Sequence, residues 1–165
     1  MNVVGKDFGA KKIFLPQVML SAEAMREAFI KIKERIPADS VSNKGTIVIA
    51  TVKGDIHDLG KNIVSALLEN NGFKVIDLGK DIDKEEIIKA AIDNKADMIG
   101  LCSLMTTTIT QIDEVIAELN KSDYSTKVMI GGAVVTQEYA DNVGANAYAP
   151  DGVEAVEIAK KLINK

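Results

Sequence analysis

The sequence predicts an α/β fold, a doubly wound parallel sheet of five strands, and three observations carry that prediction. From Thr46 onward, short apolar runs alternate with segments whose apolar residues recur at intervals of three and four. The first run, Ile47-Val48-Ile49-Ala50, is unbroken, as in a strand covered on both faces. Glycine-containing turn signals separate the segments, and no internal repeat or low-complexity tract interrupts them.

Taken in order, residues 1 to 14 are polar and glycine-containing, and no element is assigned to them. Phe14-Leu15-Pro16 then opens an amphipathic helix of about twenty residues. Its apolar row runs through Leu15, Val18, Met19, Ala22, Met25, Phe29, Ile32 and Ile36, with Pro16 in the first turn and Pro37 as terminator. That row is to be buried on the neighbouring domain or to cover a cofactor or partner. Ala38 to Gly45 reads as a polar linker.

The first strand is Thr46 to Val52. A helix follows from about Leu59 to Asn71, with Ile63, Val64, Leu67 and Leu68 on one face and Asn71-Gly72 as its C-cap. The second strand is Phe73 to Leu78, and Asp83, with Glu86 three residues on, N-caps the next helix. Asp97 to Cys102 is the third strand, followed by a helix through Ile109, Ile112, Val115, Ile116 and Leu119. Lys127 to Ile130, ended by Gly131-Gly132, is the fourth. A short helix, a fifth strand near Asn146 to Tyr148 and a last helix from about Val153 complete the pattern.

At 165 residues and 47% hydrophobic composition, the chain suits one domain with a small appendage. No apolar run approaches the roughly 20 residues of a membrane span, and residues 1 to 15 lack the apolar region of a secretion signal, so a cytoplasmic protein is expected. A single cysteine, Cys102, excludes an internal disulfide and a cysteine-based zinc site. The net charge of -4 argues against a nucleic-acid partner. Charge is unevenly spread: residues 1 to 44 hold eight basic and five acidic side chains, the remainder twelve and nineteen.

The informative loop is the one after the first strand, Val52 to Gly60, at the first strand-to-helix crevice of such a sheet, where ligands bind. It holds the chain's only histidine within Asp55-x-His57-x-x-Gly60. That spacing supplies an imidazole able to ligate a metal, a carboxylate two residues away able to hold its other ring nitrogen, and a glycine where bulk would obstruct a ligand. The plain alternative is a solvated loop histidine. One histidine is too few to hold a bare ion, so a metal here requires an organic cofactor. Loops after the third, fourth and fifth strands converge on the same edge, and their small residues, hydroxyls and paired glycines suit a long, polar-edged ligand. A dinucleotide fingerprint, a phosphate loop and the acidic pair of a receiver domain are all absent.

Asp55-Ile56-His57-Asp58-Leu59-Gly60, together with Cys102-Ser103-Leu104-Met105-Thr106-Thr107-Thr108 and Gly131-Gly132-Ala133, resembles the cobalamin-binding domain family over about residues 45 to 165. The resemblance implies a flavodoxin-like fold holding cobalamin or a related corrinoid, with the nucleotide tail inserted at the sheet edge. Residues 8 to 36, with the run from Phe14 to Met25, resemble the last part of the helical cap of methionine synthase and of the corrinoid proteins of methanol and methylamine methyltransferase systems. Residues 1 to 44 are accordingly read as a partial helical cap and linker, and residues 45 to 165 as the cobalamin-binding domain. The family's cap is a four-helix bundle, of which this chain supplies the final portion, as a natural short form or as a fragment.

Carried over residue by residue, the resemblance makes His57 the lower axial ligand of cobalt. Asp55 holds its far ring nitrogen, and the Thr108 hydroxyl completes a proton relay. Ile56, Asp58, Leu104 and Ala133 belong to the cofactor-binding loops, Gly60, Gly131 and Gly132 let the backbone close on the tail, and Tyr148 flanks it. Cys102 stands where methionine-synthase-like domains carry serine. A thiol is a weak donor, so tail anchoring passes to Ser103 or Thr106.

The implied function is a corrinoid methyl carrier between donor-side and acceptor-side methyltransferase subunits, cycling between Co(I) and methyl-Co(III), with a homodimer expected through the cap helix. The alternative is the cobalamin-binding small subunit of an adenosylcobalamin-dependent mutase, which needs no cap helix. A cobalamin-sensing regulator would need a DNA-binding element that the chain lacks room for, and a ligand-free interaction domain leaves the three motifs unexplained.

Overall fold

The structure is a computed structural model and describes residues 2–33 and 44–163. Helices α1 (Asn2–Gly9) and α2 (Leu15–Lys33) precede a regular alternation: β1 (Thr46–Thr51), α3 (Leu59–Asn70), β2 (Lys74–Asp77), α4 (Lys84–Asp93), β3 (Met98–Cys102), α5 (Thr110–Lys121), β4 (Lys127–Gly131), α6 (Gln137–Val143), β5 (Ala147–Ala149) and α7 (Gly152–Ile163). The five strands form one sheet in the order β2-β1-β3-β4-β5, and every neighbouring pair is parallel. This is the flavodoxin-like doubly wound order.

Burial explains the strand sequences. The inner strand β1 is buried at all six positions, which is why its apolar run shows no alternation. The edge strand β2 is only partly covered and carries exposed Lys74 and Asp77 at its ends. Val48, Ala50, Ile99, Leu101, Val128 and Ile130 pack toward α4, α5 and α6 on one face. On the other, Ile47, Met98 and Met129 pack toward α3 and α7. Two helix layers thus sandwich the sheet and leave the carboxyl ends of its strands on one edge.

Several boundaries differ from expectation for local reasons. The pattern before Leu15 predicts no element, yet α1 is present. It is a short helix with two glycines, and it rests on α2 and α7, so tertiary contact rather than propensity sustains it. Val52 leaves β1 to form an isolated bridge with Ile82, and Phe73 is not in β2 but is buried beneath α3. Asn146 precedes β5 and ties to β4 by its side chain, Oδ1 accepting from the Val128 N–H at 2.7 Å. Asp83 makes no capping hydrogen bond, its carboxylate being turned toward Lys53 Nζ at 3.1 Å. The first turn of α7 is instead capped by Asp151, whose Oδ1 accepts from the N–H groups of Val153 and Glu154 at 2.8 and 2.9 Å.

Helix α2 packs on α3. Of its predicted row, Val18 is buried, Leu15 is half-buried and Met19 is exposed, so the covered stripe is narrower than its periodicity suggests. The side chains of Ala22, Met25, Phe29 and Ile32, the terminator Ile36-Pro37 and the linker from residue 38 to 43 lie outside the described residues. Among the described residues no helix is long and apolar enough to cross a membrane.

Candidate functional site

The crossover from β1 runs to α3 on one face of the sheet and that from β3 to α5 on the other, so their loops part at the carboxyl edge and leave a crevice. A cavity of about 770 Å³ occupies it and continues between α3 and α7. That volume is within the range of small-molecule sites. Ile56, His57, Asp58 and Gly60 from the β1–α3 loop, Cys102 and Leu104 from the end of β3, and Gly131, Gly132, Ala133 and Tyr148 from the β4–β5 side all line it. Ile49, Gly100 and Met129 form its wall on the sheet, Ile63 and Val64 its wall on α3, and Gly152 and Ala155 its wall on α7.

Asp55 is fully buried behind this wall and accepts hydrogen bonds from two loops. Its Oδ1 takes the His57 backbone N–H at 3.0 Å and meets His57 Nδ1 at 2.9 Å. Its Oδ2 takes the N–H of Leu104 at 2.7 Å, that of Met105 at 3.3 Å and the Thr108 hydroxyl at 3.0 Å. Burial by itself pushes the carboxyl pKa up. The hydrogen bonds from His57, Leu104 and Thr108 outweigh it and bring the group down to about 2. Asp55 is therefore a carboxylate and acceptor only, which fixes two protons. The His57 proton facing it sits on Nδ1, and Thr108 must donate, accepting in turn from the Ser103 hydroxyl at 2.9 Å. In the neutral imidazole this leaves the lone pair on Nε2, which has no partner among the described residues, on a ring that lines the cavity and is 47% exposed.

The remaining predicted residues divide by position. Ser103 is buried with its hydroxyl proton given to Thr108, and Thr106 is exposed, and neither lines the cavity as Cys102 does. Cys102 itself is on the wall. Burial, aided by the nearby Asp55 charge, pushes its thiol up to about 11. Both of the paired glycines also approach the protein's own backbone: a Cβ at Gly131 would lie 2.9 Å from the Ala149 carbonyl oxygen, and Gly132 has φ +125°, where a Cβ would lie 1.9 Å from the Ser103 carbonyl oxygen. Gly60 differs. A Cβ there would meet nothing within 4 Å, so nothing in the chain's own packing calls for a glycine at this lining position.

Three lining residues are not evident from the sequence pattern. Phe8 and Leu15 reach the cavity from the helical layer, where the pattern predicts no α1 and Leu15 reads only as part of an amphipathic row. Lys61 is 1% exposed, and its ammonium lies 2.5 Å from both oxygens of Asp77 and 2.6 Å from Asn62 Oδ1. Asp77 is further held by Ser65 Oγ at 3.0 Å and the Gly79 N–H at 2.8 Å. The only advance signal is its place two residues after the histidine loop's Leu59, in a helix that has to cover the sheet.

Among the described residues no group of three or more His, Cys, Asp or Glu side chains comes together. A metal at His57 thus draws its other ligands from a cofactor, and a single fixed imidazole facing an elongated slot fits a macrocyclic metal complex. Comparison with known proteins identifies the family: the one described as B12 binding domain matches residues 45–159. The chain belongs to the B12 binding domain family. A second family of the same description matches residues 1–33 of this B12-binding chain. The chain is 46% identical to dimethylamine corrinoid protein 3 of Methanosarcina mazei, over 99% of each chain. It is similar to the methanol:cobalamin methyltransferase complex MtaBC of Methanosarcina barkeri, with a TM-score of 0.88 and 38% identity over 98% of this chain and 62% of that one. A cobalamin-binding protein from Desulfitobacterium hafniense gives a TM-score of 0.83 and 28% identity over 96% of this chain and 76% of its own.

Proposed function

We propose that this B12-binding chain is the corrinoid carrier of a methyltransferase system, with His57 as the protein's ligand to cobalt. The observation that carries this reading is the His57 ring, held at Nδ1 by a buried carboxylate and, among the described residues, unpartnered at Nε2 on the cavity wall. When bound, the corrinoid supplies a cobalt centre that takes up and gives up a methyl group.

The other steps belong to the chain. Asp55 holds the Nδ1 proton and strengthens the imidazole as a donor, and Thr108 and Ser103 extend that relay into the β3–α5 loop. Of the residues that line the cavity, Ile56, Asp58, Leu104 and Ala133 would border the macrocycle, Gly60 would leave room for it, and Gly131, Gly132, Cys102 and Tyr148 would line the slot for the nucleotide tail. Phe8 and Leu15 exclude water from the opposite side. Residues 1–44 serve as a partial cap with its linker and residues 45–165 as the corrinoid-binding unit.

The relatives support this branch over the mutase subunit: one is a dimethylamine corrinoid protein, and another is part of a methanol:cobalamin methyltransferase complex. The partners of this chain are, on that basis, methyltransferase subunits on the donor and acceptor sides, met in the cytoplasm. A homodimer through α2 is part of the same proposal, since Phe14, just before this helix, and Leu20, on it, are 74% and 72% exposed.

Electron paramagnetic resonance of the Co(II)-loaded protein, made with and without 15N-histidine, tests the assignment. The expected result is a nitrogen superhyperfine pattern that changes with the label and disappears in His57→Gly. A pattern indifferent to the label overturns it.

A further inference from the structure

We infer that Asp81, in the turn between β2 and α4, is a positioning residue for the His57 loop, acting through the backbone of Gly54 and Asp55. The inference rests on His57 being the cobalt ligand. Asp81 and the loop exchange two hydrogen bonds: the Gly54 N–H donates to Asp81 Oδ1 at 2.8 Å, and the Asp81 N–H donates to the Asp55 carbonyl at 3.0 Å. This reciprocal pair closes a ring around the peptide that joins Gly54 to Asp55.

The conformations on both sides are unusual in a matching way. Gly54 has φ +79° and Asp81 has φ +59°, a region that residues other than glycine seldom adopt and that aspartate tolerates better than most. A residue held there by its neighbours, beside a ligand loop, is a reason to ask what it holds. A Cβ at Gly54 would lie 3.3 Å from the Thr108 methyl, so the Gly54 backbone is confined between Thr108 on one side and the Asp81 carboxylate on the other.

Asp55 comes next in the chain, with its N–H taken by the Val52 carbonyl at 3.1 Å and its carbonyl taken by Asp81. With both ends of its backbone fixed, its carboxylate meets the N–H groups of the β3–α5 loop and the His57 ring together. Loss of the Asp81 carboxylate frees the Gly54 N–H, loosens the turn that presents Asp55, and lets the Asp55 carboxylate turn away from one set of donors. Lys53 Nζ, 3.6 Å from Asp81 Oδ1 and 3.1 Å from Asp83, is an exposed ion-pair partner and does not touch the loop backbone.

Four variants separate geometry from charge. Asp81→Asn keeps an acceptor and tolerates the positive φ, Asp81→Gly keeps the backbone conformation and loses the acceptor, Asp81→Ala loses both, and Lys53→Ala removes only the ion pair. Two readings are taken on each: hydrogen exchange of the Gly54 amide in the corrinoid-free protein, and the ratio of histidine-coordinated to uncoordinated cobalt from the superhyperfine pattern of the Co(II)-loaded protein.

Asp81→Asn and Lys53→Ala should match the wild type. Asp81→Gly should exchange Gly54 faster and lower the coordinated ratio about tenfold, the scale on which outer-shell partners act, and Asp81→Ala should do the same or more. If Asp81→Ala does not fold, the comparison of Asp81→Gly with Asp81→Asn decides. A wild-type ratio or wild-type Gly54 exchange in Asp81→Gly overturns the inference. If the wild type itself shows no histidine coordination, the function proposed above falls, and the exchange measurement alone judges whether Asp81 holds the loop.

Discussion

The backbone N–H of Leu104 donates to Asp55 Oδ2 at 2.7 Å across 49 residues of sequence. This bond joins the loop after β1 to the loop after β3, so the carboxylate that orients His57 also holds the two sides of the crevice together. Asp55→Asn keeps the shape and removes the charge. Charge-assisted hydrogen bonds contribute about 1.5 to 3 kcal/mol each, so the variant should unfold at lower urea without corrinoid and bind corrinoid about 10- to 100-fold more weakly. Unfolding curves at unchanged slope, with a corrinoid titration, measure both. Equal unfolding midpoints would remove Asp55 from holding the crevice, and an unchanged corrinoid affinity would remove it from orienting His57.

Gly60 and Gly132 should fail in opposite ways. Gly60→Ala places a methyl group in open space near the start of α3, so the corrinoid-free protein should hold or gain stability by up to about 1 kcal/mol while corrinoid binding weakens. Gly132→Ala drives a methyl group into the Ser103 carbonyl and should destabilise the empty protein. Melting temperatures with and without corrinoid distinguish the two.

The Lys61–Asp77 pair is asymmetric, with Lys61 1% exposed and the Asp77 side chain 31% exposed. Asp77→Ala leaves a buried ammonium without its carboxylate and should cost up to about 3 kcal/mol, the low end of the range for a buried pair because Asp77 is itself partly solvated. Lys61→Met leaves the more accessible partner and should cost less, and the double variant should recover part of the loss. Chemical denaturation of the three proteins gives the cycle. Equal losses from both single changes would contradict the asymmetry.

Cys102 should be a slow nucleophile. Its thiol is raised to about 11 by burial first and by the Asp55 charge second, with Lys61 opposing, so the neutral form is favoured. At pH 8 only roughly one thiol in a thousand is ionised. Alkylation by iodoacetamide should therefore rise with pH toward an inflection near 11, and bound corrinoid should suppress it at every pH. An inflection in the ordinary thiol range would show that the side chain is more hydrated than its position on the wall indicates.

The exposed Phe14 and Leu20 predict self-association through the helical layer. Light scattering at micromolar concentration should report a dimer for the wild type and a monomer for Phe14→Asp or Leu20→Asp. A wild-type monomer would set the dimer aside.

How much the sequence discloses depends on which signals are local. β1 is legible because burial on both faces erases alternation, and the Asp55-x-His57 pair because the two partners stand two residues apart. Thr108 enters the relay only through resemblance, since a hydroxyl 53 residues from its carboxylate leaves no spacing to read. The Leu104 and Met105 contacts are made by backbone N–H groups, which any residue supplies, so no side chain marks them. Lys61 goes unmarked in the sequence because lysine is usually solvated, and its burial depends on a carboxylate on another element. Phe8 goes unrecognised because α1 is short and held in place by α2 and α7.

The cavity wall includes Gly152 and Ala155 of α7, and α1 rests on that same helix. During synthesis the His57 loop emerges well before α7, at a rate on the order of 5 to 20 residues per second. For that interval the ribosome presents the motif without its enclosure: the α7 side of the slot does not exist, and α1 lacks the surface that steadies it. The slot is therefore complete only once α7 has packed against the rest of the fold.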